Sequence, residues 1–226
     1  RALARRIASY GAASLAIAGS SAATTLVVGR TLLSGGLLEQ SGHFYALTIG
    51  ADVLFNLSLS GYGTYYLPTF CAQARGVGAA RLLQRLLRTM QLFALPLLAA
   101  VVVAAPVAVP LLLSETFAAI LPFVGMLVIG VYLRALAALL GIPFVARGHL
   151  VPMVVLHGAS CLALLLIFFG RGAGGVSSWV VAFVLASALL AAVVAAINWR
   201  WLNLGLRMID VALVAAGIVV LYCLSR

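Results

Sequence analysis

Long apolar runs broken by short polar segments recur along the whole chain. Stretches of mostly apolar residues, each near the length that a helix needs to cross a bilayer, cover about 7–29, 43–69, 89–113, 116–146, 150–170, 176–198 and 208–224. None shows the short alternation of an outer-membrane barrel strand, and lipid cannot satisfy unpaired backbone groups, so the pattern predicts helices. The expected fold is an all-α, polytopic transmembrane helix bundle of about seven spans, forming one transmembrane domain over 1–226. The seventh span is short and has Asp210 near its start. Very short connections join 89–113 to 116–146 and 116–146 to 150–170, which predicts antiparallel hairpins. The stretch from Arg1 to Ala23 has the basic start and apolar middle of a secretory signal, but no soluble domain follows it, so a first span is expected.

Composition supports the bilayer as the main solvent. With 65% hydrophobic and 8% charged residues and a mean hydropathy of +1.22, a soluble globule would have no polar surface to show. The formal charge of +10 would point to nucleic acid in a soluble protein. Here its distribution reads as topology instead, and no nucleic-acid partner is expected. With a cytoplasmic N-terminus, Arg1, Arg5, Arg6, Arg75, Arg81, Arg85, Arg88, Arg147, Arg200 and Arg207 fall inside, whereas Arg30, Arg171 and Arg226 fall outside. Within 70–88, Arg81, Arg85 and Arg88 share one helical face and Leu82, Leu83, Leu86 and Leu87 the other. That division predicts a helix lying in the headgroup layer before the chain turns into the third span.

The usual signs of catalysis or metal binding are missing. Cys71, Cys161 and Cys223 are far apart in sequence, and His43, His149 and His157 have no carboxylate or cysteine at ligand spacing. No metal and no cofactor are expected. His157 and Ser160 are close on one span, but the pair has no orienting acid, and no intramembrane-protease motif surrounds Ser160, Asp52 or Asp210. A non-enzymatic role follows as the expectation.

Polarity inside the spans is the more informative feature. In the second span, Thr48, Asp52, Asn56, Ser60 and Thr64 recur every four residues, with Tyr45 and Gly63 beside them. This spacing draws a polar ridge along one side of a helix. A carboxylate at depth costs about 2.5–3.5 kcal/mol on insertion scales, so Asp52 should face a partner or water. The ridge predicts either a wet cavity or a seam packed against neighbouring helices. Ser14, Gly19, Ser20, Ser21, Thr24 and Thr25 give the first span a second polar surface that could join either. Arg134 lies far from both ends of the fourth span, which makes it the foremost anion contact, with Asp52 the natural acid for an ion pair. Pro96, Pro106, Pro110, Pro122 and Pro143 cluster in the third and fourth spans, where proline can bend a helix.

Three segments then carry a resemblance: LSETFAAILP over Leu113–Pro122, YLRAL over Tyr132–Leu136 and GIPFVARG over Gly141–Gly148. They resemble the stretch of polysaccharide flippases in which a short Glu-x-Phe turn opens a helix, an arginine follows and an Ala-x-Gly turn closes it. Upstream, YYLPTF over Tyr65–Phe70 and the basic helix Arg81–Arg88 are similar to the second-helix exit and cytoplasmic connector of the same proteins. The family is that of the O-antigen and lipid-linked oligosaccharide translocases, within the multidrug and polysaccharide exporter superfamily. The likeness runs over roughly residues 8–198 and matches a C-terminal lobe plus one helix.

The resemblance implies a bacterial inner-membrane protein that flips an undecaprenyl-pyrophosphate-linked oligosaccharide for surface polysaccharide or lipopolysaccharide synthesis. It also implies that a missing N-terminal lobe, or a second copy, completes the transporter. Arg134 matches the family's span-four arginine, but an apolar stretch including Val131 replaces the acid that often precedes it, and no acid stands before Arg30. The expected substrate path comprises Arg134, Asp52, Asn56, Thr48, Ser60, Tyr45 and Arg30, with Asp52 the candidate ion-coupling residue. Two alternatives stay open: a cation-coupled multidrug-type antiporter of the same superfamily, and a non-transporting scaffold subunit of an envelope-glycan assembly complex.

Overall fold

A computed structural model describes residues 2–59, 62–72, 77–202 and 208–224; within these, the side chains of 2–7, 63–64, 77, 201–202, 208–211 and 213 are outside the description. The described residues are helical throughout, apart from short turns. The helices are α1 (Ala2–Ser34), α2 (Leu38–Leu59), α3 (Tyr62–Ala72), α4 (Val77–Leu112), α5 (Leu121–Ala146), α6 (Leu150–Gly170), α7 (Val176–Leu202) and α8 (Met208–Leu224), with a short 3-10 helix, Glu115–Ile120, leading into α5.

Five of these segments are long and apolar enough to cross a membrane: Ala8–Ser34, Gly78–Leu112, Glu115–Ala146, Leu150–Gly170 and Val176–Arg200. They are the make-up of a multi-pass membrane protein. The count differs from about seven at two places. The expected second span, 43–69, is described as two helices, α2 and α3, and α2 carries Glu39, Gln40, His43, Asp52 and Asn56 along 22 residues. At the C-terminal end α8 has 17 residues, the lower limit for a helix that spans.

α5 is the hub. Val128, Val131, Tyr132 and Ala135 are wholly buried, because α2, α3, α4, α7 and α8 all pack around this helix. The contact with α7 is tightest at Gly130, where an added Cβ would lie 2.5 Å from Phe183 Cδ1. Asn198 on α7 donates its Nδ2 to the Leu140 carbonyl of α5 at 2.7 Å, and Tyr132 donates its hydroxyl to Gln91 Oε1 of α4 at 2.7 Å. Buried polar groups that bond across helices in this way fix the rotation of each helix, because the alternative is an unsatisfied group in an apolar layer.

One expectation is corrected here. α4 runs unbroken from Val77 to Leu112, so Arg81, Arg85 and Arg88 belong to the same helix as the span, and no turn separates them from it. Their face is exposed, while Leu82, Leu83, Leu86 and Leu87 are buried in the protein core. The amphipathic division was real, but the leucines pack against protein where the sequence predicted lipid. α6 follows α5 after the short Arg147–His149 turn and packs chiefly against α7 and α1. Between α5 and α6 lies a cavity of about 280 Å³.

Connections at one end of the bundle hold together through aromatic contacts. His43 meets Phe117 edge-on at 5.4 Å, and Phe44 meets Trp179 at 5.1 Å. At the other end, Tyr10 of α1 donates its hydroxyl to the Val145 carbonyl of α5 at 2.8 Å. α1 packs against α6 and α2, and a groove opens between α1 and α2.

Candidate functional site

The groove lies between α1 and α2, with α5 and α6 as its floor. It holds about 740 Å³ and is lined by Ser14, Ser21 and Thr25 of α1, by Tyr45, Thr48 and Asp52 of α2, by Arg134 of α5 and by His157 of α6, among apolar neighbours. α1 and α2 come close at Gly29 and Tyr45: a β-carbon at Gly29 would run into the Tyr45 hydroxyl. This small residue lets α1 and α2 approach closely there. A recess of about 70 Å³ continues inward past Ser160 and Cys161 towards α7. With the cavity between α5 and α6, three adjoining spaces share two lining residues, Arg134 and His157.

Arg134 and Asp52 form an ion pair, Nη1 to Oδ1, at 2.9 Å. The arginine side chain is 20% exposed and the aspartate 52%, so the guanidinium sits in the floor and the carboxylate reaches into the groove. The Arg134 guanidinium carbon also stands 4.4 Å from the centre of the Phe55 ring, a cation–π contact that holds the planar group on one side. An arginine has five N–H donors in a fixed fork, so the bond to Asp52 leaves donors for a second anion. Phosphate geometry suits that fork.

The hydroxyls of the walls are partly committed to backbone. Thr48 donates to the Phe44 carbonyl at 2.8 Å, and Thr25 to that of Ser21 at 3.2 Å. Each keeps acceptor lone pairs. Asn56 donates its Nδ2 to the Asp52 carbonyl at 2.8 Å; it stands one turn beyond the groove and is not one of its lining residues. Arg30 is exposed near the end of α1 that precedes the turn to α2. The structure therefore brings Arg134, Asp52, Thr48 and Tyr45 together and leaves Asn56 and Arg30 outside the cluster. Ser60 lies outside the described residues.

His157 is a residue to which the sequence pattern assigned no role. Its Nε2 is buried and has no hydrogen-bond partner among the described residues, although His157 borders all three spaces beside Arg134. Ser160, its neighbour on α6, donates instead to the Ala186 carbonyl at 3.3 Å, so the two do not form a nucleophile–base pair. Among the described residues no group of three His, Cys, Asp or Glu side chains is placed to hold a metal.

No protein-family model matches the chain, and none of the curated proteins or solved structures compared with it does so.

Proposed function

We propose that the protein moves an anionic, lipid-linked oligosaccharide across a bacterial inner membrane, with the Asp52–Arg134 groove as the place where the anionic headgroup binds. The observation that carries this reading is the groove itself: about 740 Å³, walled by hydroxyls and floored by an arginine whose acidic partner, Asp52, is half exposed. A sugar needs hydroxyl and amide partners, and a pyrophosphate needs a guanidinium fork; such an amphiphile keeps its polyprenyl tail in lipid while its head passes through the groove. In this reading the pyrophosphate competes with Asp52 for Arg134, so substrate binding opens an existing ion pair rather than meeting a bare charge. α2–α3 and α8 complete seven passes, the N-terminus is cytoplasmic, and the open side of the groove faces a second lobe or a second copy. The family likeness of the Glu115–Phe117, Arg134 and Gly141–Gly148 segments supports the same reading.

The test has two parts. Single cysteines at Thr48, Asp52 and Arg134, in a background lacking Cys71, Cys161 and Cys223, should react with a membrane-impermeant thiol reagent. In liposomes that contain the protein and its partner lobe or copy, Arg134→Gln should slow transfer of an undecaprenyl-pyrophosphate oligosaccharide at least tenfold. Silence at all three cysteines, or transfer unchanged by Arg134→Gln, rejects the proposal. Interaction with a glycan-assembly enzyme without any transfer would favour a scaffold. Substrate-driven proton flux abolished by Asp52→Asn, with a cationic ligand, would favour an antiporter.

A further inference from the structure

α4 carries two further concavities that share no residue with the Arg134 groove. Arg81, Arg85 and Arg88 stand one above the other on its outward face, and the leucines on the opposite face are buried. A hollow of about 430 Å³ lies among the three arginines and Gln84, and ends at Thr89 and Leu92. Thr89 also borders the next hollow, about 340 Å³, which runs between Phe93 and Leu97 of α4 on one side and Tyr62, Tyr65 and Tyr66 of α3 on the other. The shared border is well fixed: Tyr62 donates to the Thr89 carbonyl at 3.2 Å, the Tyr66 and Thr89 hydroxyls are bonded at 3.2 Å, and Thr89 donates to the Arg85 carbonyl at 2.9 Å.

A cationic hollow therefore adjoins, at Thr89, an apolar, aromatic slot along one helix. From Arg88 to Leu97 the helix rises about 14 Å, the reach of a good part of an acyl chain. Ser58 adds an independent sign. Ser58 borders the slot, is only 3% exposed, and its Oγ has no hydrogen-bond partner among the described residues. Buried hydroxyls are as a rule bonded, and a polar oxygen of a ligand, such as an acyl ester carbonyl, would satisfy this one. The arginines stand at the point where α4 passes from basic to apolar sequence, the level at which headgroups meet acyl chains in a bilayer.

We infer that α4 and the tyrosines of α3 form a binding site for an anionic phospholipid, with its phosphate on Arg81, Arg85 and Arg88 and one acyl chain in the slot between Tyr65 and Phe93. The arginines alone would hold any phosphate; the slot selects for a lipid. The site stands whether or not the Arg134 groove transports anything.

Native mass spectrometry of the purified full chain, offered equimolar phosphatidylglycerol and phosphatidylcholine, tests it. The expected result is at least a fivefold excess of bound phosphatidylglycerol, unaffected by added glycerol 3-phosphate. The triple variant Arg81→Gln, Arg85→Gln, Arg88→Gln should remove the preference, and the triple lysine variant should retain most of it. Leu97→Trp, which fills the slot at a partly exposed position and leaves the charge alone, should lower phosphatidylglycerol binding severalfold. Equal binding of the two lipids, or a preference that survives the glutamine variant, overturns the inference. So does wild-type binding by Leu97→Trp together with displacement by glycerol 3-phosphate, which would reduce the site to a general phosphate patch.

Discussion

Asp52 and Arg134 meet although 82 positions separate them in sequence, and their burial is unequal. Removing the aspartate charge leaves a guanidinium that is four-fifths covered without its acid. Removing the arginine leaves a carboxylate that still reaches into the groove. Breaking a fully buried pair costs several kcal/mol because a lone charge remains, and the partial exposure here discounts that to about 1–2 kcal/mol. Asp52→Asn should therefore lower the thermal unfolding temperature in detergent more than Arg134→Leu does. The double variant should be no less stable than Asp52→Asn alone. An equal loss from both single changes, adding up in the double variant, would mean that the pair does not couple. The pairing was legible in the sequence because a carboxylate and a guanidinium each stood isolated in apolar spans, where each needs a partner. His157 was not legible. Its place beside Arg134 depends on α6 leaning away from α5, and nothing in the spacing of α6 fixes that lean.

The hydrophobic runs located most helices, because crossing a bilayer imposes a minimum length and few sequences meet it by accident. What they could not tell was which neighbour each helix would choose. Leu82, Leu83, Leu86 and Leu87 make the same periodic face whether they meet lipid or protein, so the buried start of α4 was read as a surface-lying helix. The junction between α4 and α5 was more open to sequence reading, since the Ser114–Glu115–Thr116 cluster breaks the apolar run where the 3-10 helix begins. Ser114 there has φ 124° and ψ 166°, a conformation held almost only by glycine and costing other residues about 1–3 kcal/mol. Its hydroxyl recovers part of this through a 2.6 Å bond to the Thr116 hydroxyl. Ser114→Gly should consequently stabilise the protein by up to about 1 kcal/mol, seen as a rise of a few degrees in unfolding temperature. A fall on substitution would show that the Thr116 bond outweighs the backbone strain.

The two ends of the bundle differ in charge, and that difference determines how the molecule should sit in a membrane. Arg147 follows α5, Arg81, Arg85 and Arg88 lie in the first turns of α4, and Arg200 is near the end of α7. The alternating course of the helices puts all five at one end. Arg30 and Arg171 belong to the opposite end, where the turns around Gly36 and Gly172 sit. Arginine in short connections resists translocation, so the richer end should be cytoplasmic. Arg134 takes no part in this vote, being placed in the middle of α5, where its partners are Asp52 and Phe55. The prediction is that His149→Cys reacts with an impermeant thiol reagent only from the cytoplasmic side. Ser177→Cys, exposed in the first turn of α7, should react only from the other. Both belong in a background lacking the native cysteines, and both occupy exposed positions beside turns, so neither should disturb packing. The reverse labelling pattern would turn the basic face of α4 away from the cytoplasmic leaflet. Labelling of both positions from one side would remove the odd number of passes between them that α6 supplies, and with it the hairpin order of α5, α6 and α7.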